Sequence, residues 1–264
     1  MNYVFQTTTM AEKLVEHSIF SDESIPNDKL SGKKSIHSAD SIKYYKDELK
    51  ADDWVLSVLQ DKYRIPFIST PGPYYEPNNK SAVNNKKFLW EKMLEWETGD
   101  FVMRQEKRPY CCNPMTVAEK VDHKTGKTKL RPCMDFSRHV NNFIPKLPVK
   151  LSHLSEAEKL LEQGDFQTSY DMENMYFQLG IHEDFWKYMG CEVESPGGEK
   201  VYFVFKVLIY GLKPAVHVVT KLTKPIIRKA ALMGIRSSIF IDDGRILAKS
   251  VQRKQTIFKI GRKP

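Results

Sequence analysis

An α+β fold, with an antiparallel sheet packed on helices, is what this sequence predicts, and three observations predict it. Turn-forming stretches sit between β-type runs at residues 122–127, at Ser195-Pro196-Gly197-Gly198 and at Asp242-Asp243-Gly244, each marking a hairpin. Other segments carry apolar residues at helical spacing and end on glycine. The chain is 264 residues long and 41% hydrophobic, with ample length for a core.

The formal charge of +8 favours an anionic partner, with nucleic acid first and an acidic membrane surface second. No apolar run approaches the roughly 18 residues that span a bilayer, so membrane integration is not expected. The opening Met1-Asn2-Tyr3-Val4-Phe5-Gln6 lacks the basic and apolar regions of a signal peptide. Cys111, Cys112, Cys133 and Cys191 show no Cys-x-x-Cys spacing and are expected to be reduced thiols of an intracellular protein, in cytoplasm or nucleus.

Residues 1–40 are polar and rich in Ser, Lys and Asp, and are expected to be a mobile leader with a short helix at 10–17. Residues 41–100 form a helical extension. Trp54, Leu56, Val58 and Leu59 give the apolar members of a helix over 51–63. Pro71-Gly72-Pro73 and Pro77-Asn78-Asn79 break the chain into a loop. A helix then runs to Trp96, capped by Asn84 or Asn85, with Phe88, Leu89, Met93 and Trp96 on one face and Gly99 ending it.

From 101 to 165 the texture changes to strands. Residues 116–121 and 128–136 read as a hairpin with a basic tip. That tip is either a solvated lysine-rich turn or a phosphate clamp. A helix over 152–164 follows, with Ser155 and Glu158 as a capping box and Gly164 as its stop. From 166 to 250 come a strand ending in Asp171, a compact segment with Tyr176 and Phe177, and a hairpin around Ser195–Gly198. A long helix opens at Pro214, carries the stripe Val218, Leu222, Ile226 and Ala230, and closes at Gly234. Residues 251–264 are a basic tail. Of seven scattered histidines, His123, His139, His153, His182 and His217 read as surface or packing residues, Glu183 and Asp184 as solvated turn acids, and Asp135 as structuring its hairpin.

The chemistry concentrates at Ser238-Ile239-Phe240-Ile241-Asp242-Asp243-Gly244. Asp-Gly predicts a type I′ turn, glycine supplying the positive φ. Two adjacent acids at the end of an apolar strand want water or a cation. Either they point into solvent, or they bind metal with a third carboxylate, for which Asp171 is the candidate. Carboxylates converging from two strand ends can hold two divalent cations about 3.5–4 Å apart, suited to phosphoryl or nucleotidyl transfer.

Five blocks stand in order: Gly126-Lys127-Thr128-Lys129-Leu130-Arg131-Pro132-Cys133-Met134-Asp135-Phe136; Gly164-Asp165-Phe166-Gln167-Thr168-Ser169-Tyr170-Asp171-Met172 with Tyr176; Tyr202-Phe203-Val204-Phe205-Lys206-Val207-Leu208; Gly211-Leu212-Lys213-Pro214-Ala215; and Phe240-Ile241-Asp242-Asp243. Over residues 54–250 the chain resembles the fingers and palm of retrotransposon reverse transcriptases, of the DIRS-like, tyrosine-recombinase kind. The resemblance implies a right-hand polymerase fold, with fingers at 101–165 and palm at 166–250. It also implies RNA-directed DNA synthesis with dNTPs on a primed RNA or DNA template, using two Mg²⁺ ions, or Mn²⁺ in their place.

By that likeness Asp171 and Asp242 are metal ligands, with the Met172 carbonyl assisting and Asp243 beside them. Arg131 grips phosphate and Lys124 takes the γ-phosphate. Tyr176 is either an aromatic gate against a ribose 2′-OH or a core ring. Tyr210 and Gly211 shape the pocket floor. The usual Tyr before the acids is Phe240, and the usual Pro-Phe-Gly-Leu reads Ile209-Tyr210-Gly211-Leu212. The thumb and RNase H regions that the family carries after the palm are missing from this sequence, so the resemblance implies a fragment truncated before the thumb. These departures leave a non-catalytic nucleic-acid-binding remnant as the alternative, and an RNA-dependent RNA polymerase as a third reading.

Overall fold

The computed structural model describes residues 3–9, 35–121, 126, 128–151, 154–172 and 174–249, with backbone alone for 3–9, 154 and 155. It is mixed α/β, with mostly antiparallel strand pairing and several helices. In chain order the elements begin with β1 (Tyr3–Thr9), α1 (Ala39–Asp47), α2 (Asp53–Asp61), β2 (Tyr74–Tyr75), α3 (Lys80–Asn84) and α4 (Lys86–Thr98). There follow β3 (Val102–Gln105), β4 (Cys111–Cys112), β5 (Met115–Val121), β6 (Thr128–Met134), α5 (Leu154–Glu158) and β7 (Phe166–Met172). The last are β8 (Gly190–Glu194), β9 (Lys200–Phe205), α6 (Ala215–Leu232), β10 (Arg236–Phe240) and β11 (Asp243–Ala248).

Two units divide the chain. One comprises Met1–Leu56, Val149–Met175 and Val219–Pro264, the other Ser57–Pro148 and Tyr176–Val218, so the division falls inside α2 and α6. The stretch 166–250, continuous in the sequence reading, is shared between them.

The first unit is built on a four-stranded antiparallel sheet of order β1-β7-β11-β10. β1 lies in what the sequence presents as a leader. Its residues, Tyr-Val-Phe-Gln-Thr-Thr-Thr, are rich in the aromatic and β-branched types that favour strands. The predicted helix at 10–17 lies outside the described residues. α1 starts at Ser38, whose hydroxyl accepts from the Ser41 amide at 3.2 Å. The Tyr45 hydroxyl donates to the Leu222 carbonyl at 3.3 Å, and Arg228 donates to the Leu49 carbonyl at 2.7 Å.

The β10–β11 hairpin forms as expected, but its turn differs from the expected one. Phe240 pairs with Asp243, so the two turn residues are Ile241 and Asp242, with Ile241 at φ +59°. A positive φ at the first central position alone marks the II′ type, not I′. Gly244 sits inside β11, and Tyr170 explains why it is glycine. A Cβ there would fall 1.9 Å from the Tyr170 ring. The residue is spent on close packing, which leaves the turn to its neighbours.

The second unit carries a five-stranded sheet of order β2-β4-β8-β9-β3 and the separate β5–β6 hairpin. The largest fully buried side chains, among them Phe136, Phe203, Phe205, Leu89, Met93 and Ile209, all belong to it. α4 buries Leu89, Met93 and Trp96 as the apolar periodicity predicts. Asn85 stands at its N-cap, yet its side chain donates to the Ser81 carbonyl and does not cap. The first strand of the hairpin around Ser195–Gly198, β8, begins only at Gly190, because residues Glu183–Tyr188 form a 3-10 helix before it. Its acids are paired, not merely solvated: Glu183 with Lys62, and Asp184 with Arg64 at 3.3 Å. The turn at Ser195–Gly198 is as expected, with Gly198 at φ +84°.

Candidate functional site

β7 ends in Asp171-Met172 and β11 begins with Asp243, and the antiparallel register makes Asp171 and Asp243 direct partners. Side chains alternate along a strand, so these two acids share one face while Tyr170 and Gly244 occupy the other. Tyr170 is 8% exposed on the buried face, whereas both acids are exposed. Phe240, opposite Asp243 on β10, completes a cross-strand row with its ring 51% exposed. Directly opposed residues bring their Cβ atoms to about 4.5–5.5 Å, a distance at which like charges destabilise a sheet.

Asp242, which the resemblance makes a metal ligand together with Asp171, stands in the turn and is half-buried. Its carbonyl accepts from the Met172 amide at 3.1 Å, tying the turn to the end of β7. The preceding Ile241 is a β-branched residue in the left-handed region, a conformation costing about 1–3 kcal/mol. Strain of that kind persists only where surrounding structure holds it, and here it sits beside the acids.

A second cluster fixes the far ends of the same strands. Asp165, just before β7, takes a two-pronged contact from the Arg236 guanidinium at 2.6 and 2.7 Å. Lys249, just after β11, lies 3.2 Å from the same carboxylate and 2.8 Å from Glu162. The Asp165 side chain is 2% exposed. The hydrogen bonds from Arg236 hold its carboxyl well below the usual carboxylate range, against the opposing effect of burial. Three strand ends are thus joined by one buried charge network. Sequence reasoning passed over Asp165; the signal was an acid flanking a strand at Gly164-Asp165-Phe166.

Within the second unit, Tyr176, Tyr210 and Gly211 come together. The Tyr176 and Tyr210 rings lie 4.5 Å apart, Tyr176 being 4% exposed and Tyr210 45%. Tyr210 therefore presents the accessible ring and Tyr176 the buried one. Gly211 adopts φ +94°, and a Cβ there would meet the Met134 carbonyl oxygen at 2.2 Å. That contact fastens the Tyr210-Gly211 turn to the end of β6, the strand on which Arg131 is exposed opposite Ala118. Asn141 braces the turn further, donating to the Gly211 carbonyl and accepting from the Lys213 amide, both at 2.8 Å. Lys124 lies outside the described residues. Burial raises the Asp135 carboxyl, but hydrogen bonds from Ser137 outweigh it and leave the group lowered. This structural role agrees with the sequence reading.

Among the described residues no group of three or more His, Cys, Asp or Glu could hold a metal ion. What the first unit offers is the Asp171–Asp243 pair, two hard carboxylate donors on an accessible face. That fits Mg²⁺, which keeps several waters and needs few protein ligands. No helix among the described residues is long and apolar enough to cross a membrane. Neither the protein-family models nor the curated proteins compared with this chain show a match.

Proposed function

We propose that this chain is the fingers and palm region of a reverse transcriptase of the DIRS-like retrotransposon kind, working on a primed template with dNTPs. One observation carries the reading: Asp171 and Asp243, far apart in sequence, are direct partners on the open face of one antiparallel sheet. The ordered motifs around Arg131, Asp171, Gly211 and Asp242 give it its family.

In nucleotidyl transfer the primer 3′-oxygen bonds to the α-phosphorus as the bond to the departing pyrophosphate breaks, and the hydroxyl proton leaves to solvent. Asp171 and Asp243 are the residues to hold divalent metal, with Asp242 in the turn between Phe240 and Asp243. Bound there, Mg²⁺ supplies positive charge that favours the attacking alkoxide and the leaving pyrophosphate. Arg131, exposed on β6, suits phosphate gripping by its planar fork of donors. The exposed Tyr210 ring, backed by Tyr176, offers a flat surface for a base or sugar. Substitution of Tyr176 tests its assignment as the gate that rejects ribonucleotides.

Primer extension on an RNA template with dNTPs and Mg²⁺ tests the reading. Incorporation should occur and should fall at least a hundredfold in Asp171→Asn and Asp243→Asn, the scale of loss for a group stabilising the transition state. Salt-sensitive binding without incorporation would select the non-catalytic reading. Efficient use of rNTPs would select an RNA polymerase. Relaxed dNTP preference in Tyr176→Ala would select the gate, and an unchanged preference the core ring, the role its 4% exposure favours.

A further inference from the structure

The second unit carries a groove of about 690 Å³ at the open edge of its five-stranded sheet, where β3 is the last strand. The groove runs along the β3–β4 connection and the 3-10 helix ahead of β8. Arg104, Lys107, Arg108, Tyr110, Trp186 and Lys187 line it. The size lies in the range of clefts that accept nucleotide-sized ligands.

The charges of this groove are held in an unusual way. Arg104 is answered by Glu97 at 2.8 Å. Lys107, Arg108 and Lys187 have no carboxylate within ion-pair distance among the described residues, and Glu106 is the sole acid of the lining. Aromatic rings hold two of the three cations. Lys187 lies 5.4 Å from the Tyr110 ring and 5.1 Å from Tyr188, and the Arg108 guanidinium lies 4.2 Å from the Tyr75 ring. A ring orders a cation without neutralising it, so its charge stays available to an anion on the other side. Tyr110 meets Tyr188 edge-on at 5.8 Å and is 41% exposed.

Positive charge along a groove together with an exposed aromatic ring is the chemistry that binds unpaired nucleotides: phosphates meet the cations and a base stacks on the ring. A duplex, its bases already stacked inside, could use only the cations. We propose that this groove is a binding site for single-stranded nucleic acid, formed by Lys107, Arg108, Tyr110 and Lys187. It involves none of the acids of the first unit and does not rest on the polymerase reading.

The test is fluorescence anisotropy of the whole chain with a labelled single-stranded oligoribonucleotide, in EDTA. Lys107→Gln/Arg108→Gln/Lys187→Gln is compared with Lys43→Gln/Lys87→Gln/Lys159→Gln, which removes equal charge from exposed positions elsewhere. The groove variant should bind about tenfold more weakly than the control. Its log-log salt slope should be shallower by about 2, the loss of three phosphate contacts on a single strand. Tyr110→Ala should weaken binding at least about fivefold on single strands and leave a blunt duplex unaffected. Circular dichroism checks that each variant is folded, and Lys107→Gln/Arg108→Gln serves should the triple variant not be. Equal losses in the groove and control variants overturn the site, and equal loss of duplex binding in Tyr110→Ala overturns the single-strand assignment. Binding is read in EDTA and without dNTPs, so failed primer extension leaves this result standing.

Discussion

The Tyr170 ring occupies the space where the first side-chain carbon of residue 244 would stand, a Cβ at Gly244 falling 1.9 Å from it. Gly244 is Tyr170's direct partner across β7 and β11, one step from the opposed acids on the other face. The acid row is thereby seated on a tight ring-on-backbone contact. Gly244→Ala should destabilise the fold by about 1–3 kcal/mol, as overpacking does. Adding Tyr170→Leu should recover part of that loss. Urea melts of both single variants and the double variant would show the non-additivity; strictly additive losses would refute the contact.

The opposed pair Asp171 and Asp243 predicts a metal-dependent melting temperature. Divalent Mg²⁺ or Mn²⁺ should raise it in the wild type by mass action, and the rise should be absent in Asp171→Asn/Asp243→Asn. Without metal at low salt, Asp243→Asn should stabilise the sheet by about 0.2–1 kcal/mol through lost repulsion. Thermal shift titrations measure both. An equal rise in wild type and double variant would rule out the pair as the metal site.

Asp165 predicts a pH dependence. Its carboxyl is held low in the folded protein by Arg236. Its contribution is therefore present above the unfolded carboxyl value of about 3.9 and is lost as pH falls toward the folded value. Asp165→Asn should cost about 3 kcal/mol at neutral pH, the lower end for breaking a buried pair, because Arg236 keeps 25% of its side chain exposed. The gap between wild type and variant should narrow below about pH 4. Denaturant melts from pH 3 to 7 would show it; a gap that stays constant would exclude the pair as its origin.

The cysteines predict a reactivity pattern. Cys111, Cys112 and Cys191 are fully buried. Burial pushes the first two thiols up to about 11 and about 12, and Cys191 well above its ordinary value. Cys133 is raised too, by burial, but is partly exposed on β6. The thiolate is the reactive species. A colorimetric disulfide reagent at neutral pH should titrate one thiol in the folded protein and four in denaturant. Cys133→Ser should abolish the first; rapid reaction of two or more thiols in the folded chain would contradict the burial.

Much of the fold was legible locally. The apolar stripe of α4, the Ser195–Gly198 turn and the two strands of the β5–β6 hairpin follow from spacing within a few residues. β2 and β4, two residues each, were not legible, because such short strands persist only by pairing with neighbours distant in sequence. The N-terminal strand carried a strand-like composition, yet only β7 gives it a partner.

For the candidate site, the sequence by itself determined which residues carry charge: an acid closing one strand, two acids at a hairpin, a basic partner strand, a glycine before a proline-started helix. Tertiary structure decided which acid faces which. Register is set by pairing between distant segments, and a one-residue shift turns every side chain to the other face. Tyr170's demand for a glycine opposite places Gly244 inside the strand, moves the turn onto Ile241 and Asp242, and leaves Asp243 opposite Asp171. The same non-local packing buried Tyr176 under Tyr210 and drew Asp165 to Arg236, outcomes that no run of neighbouring residues specifies.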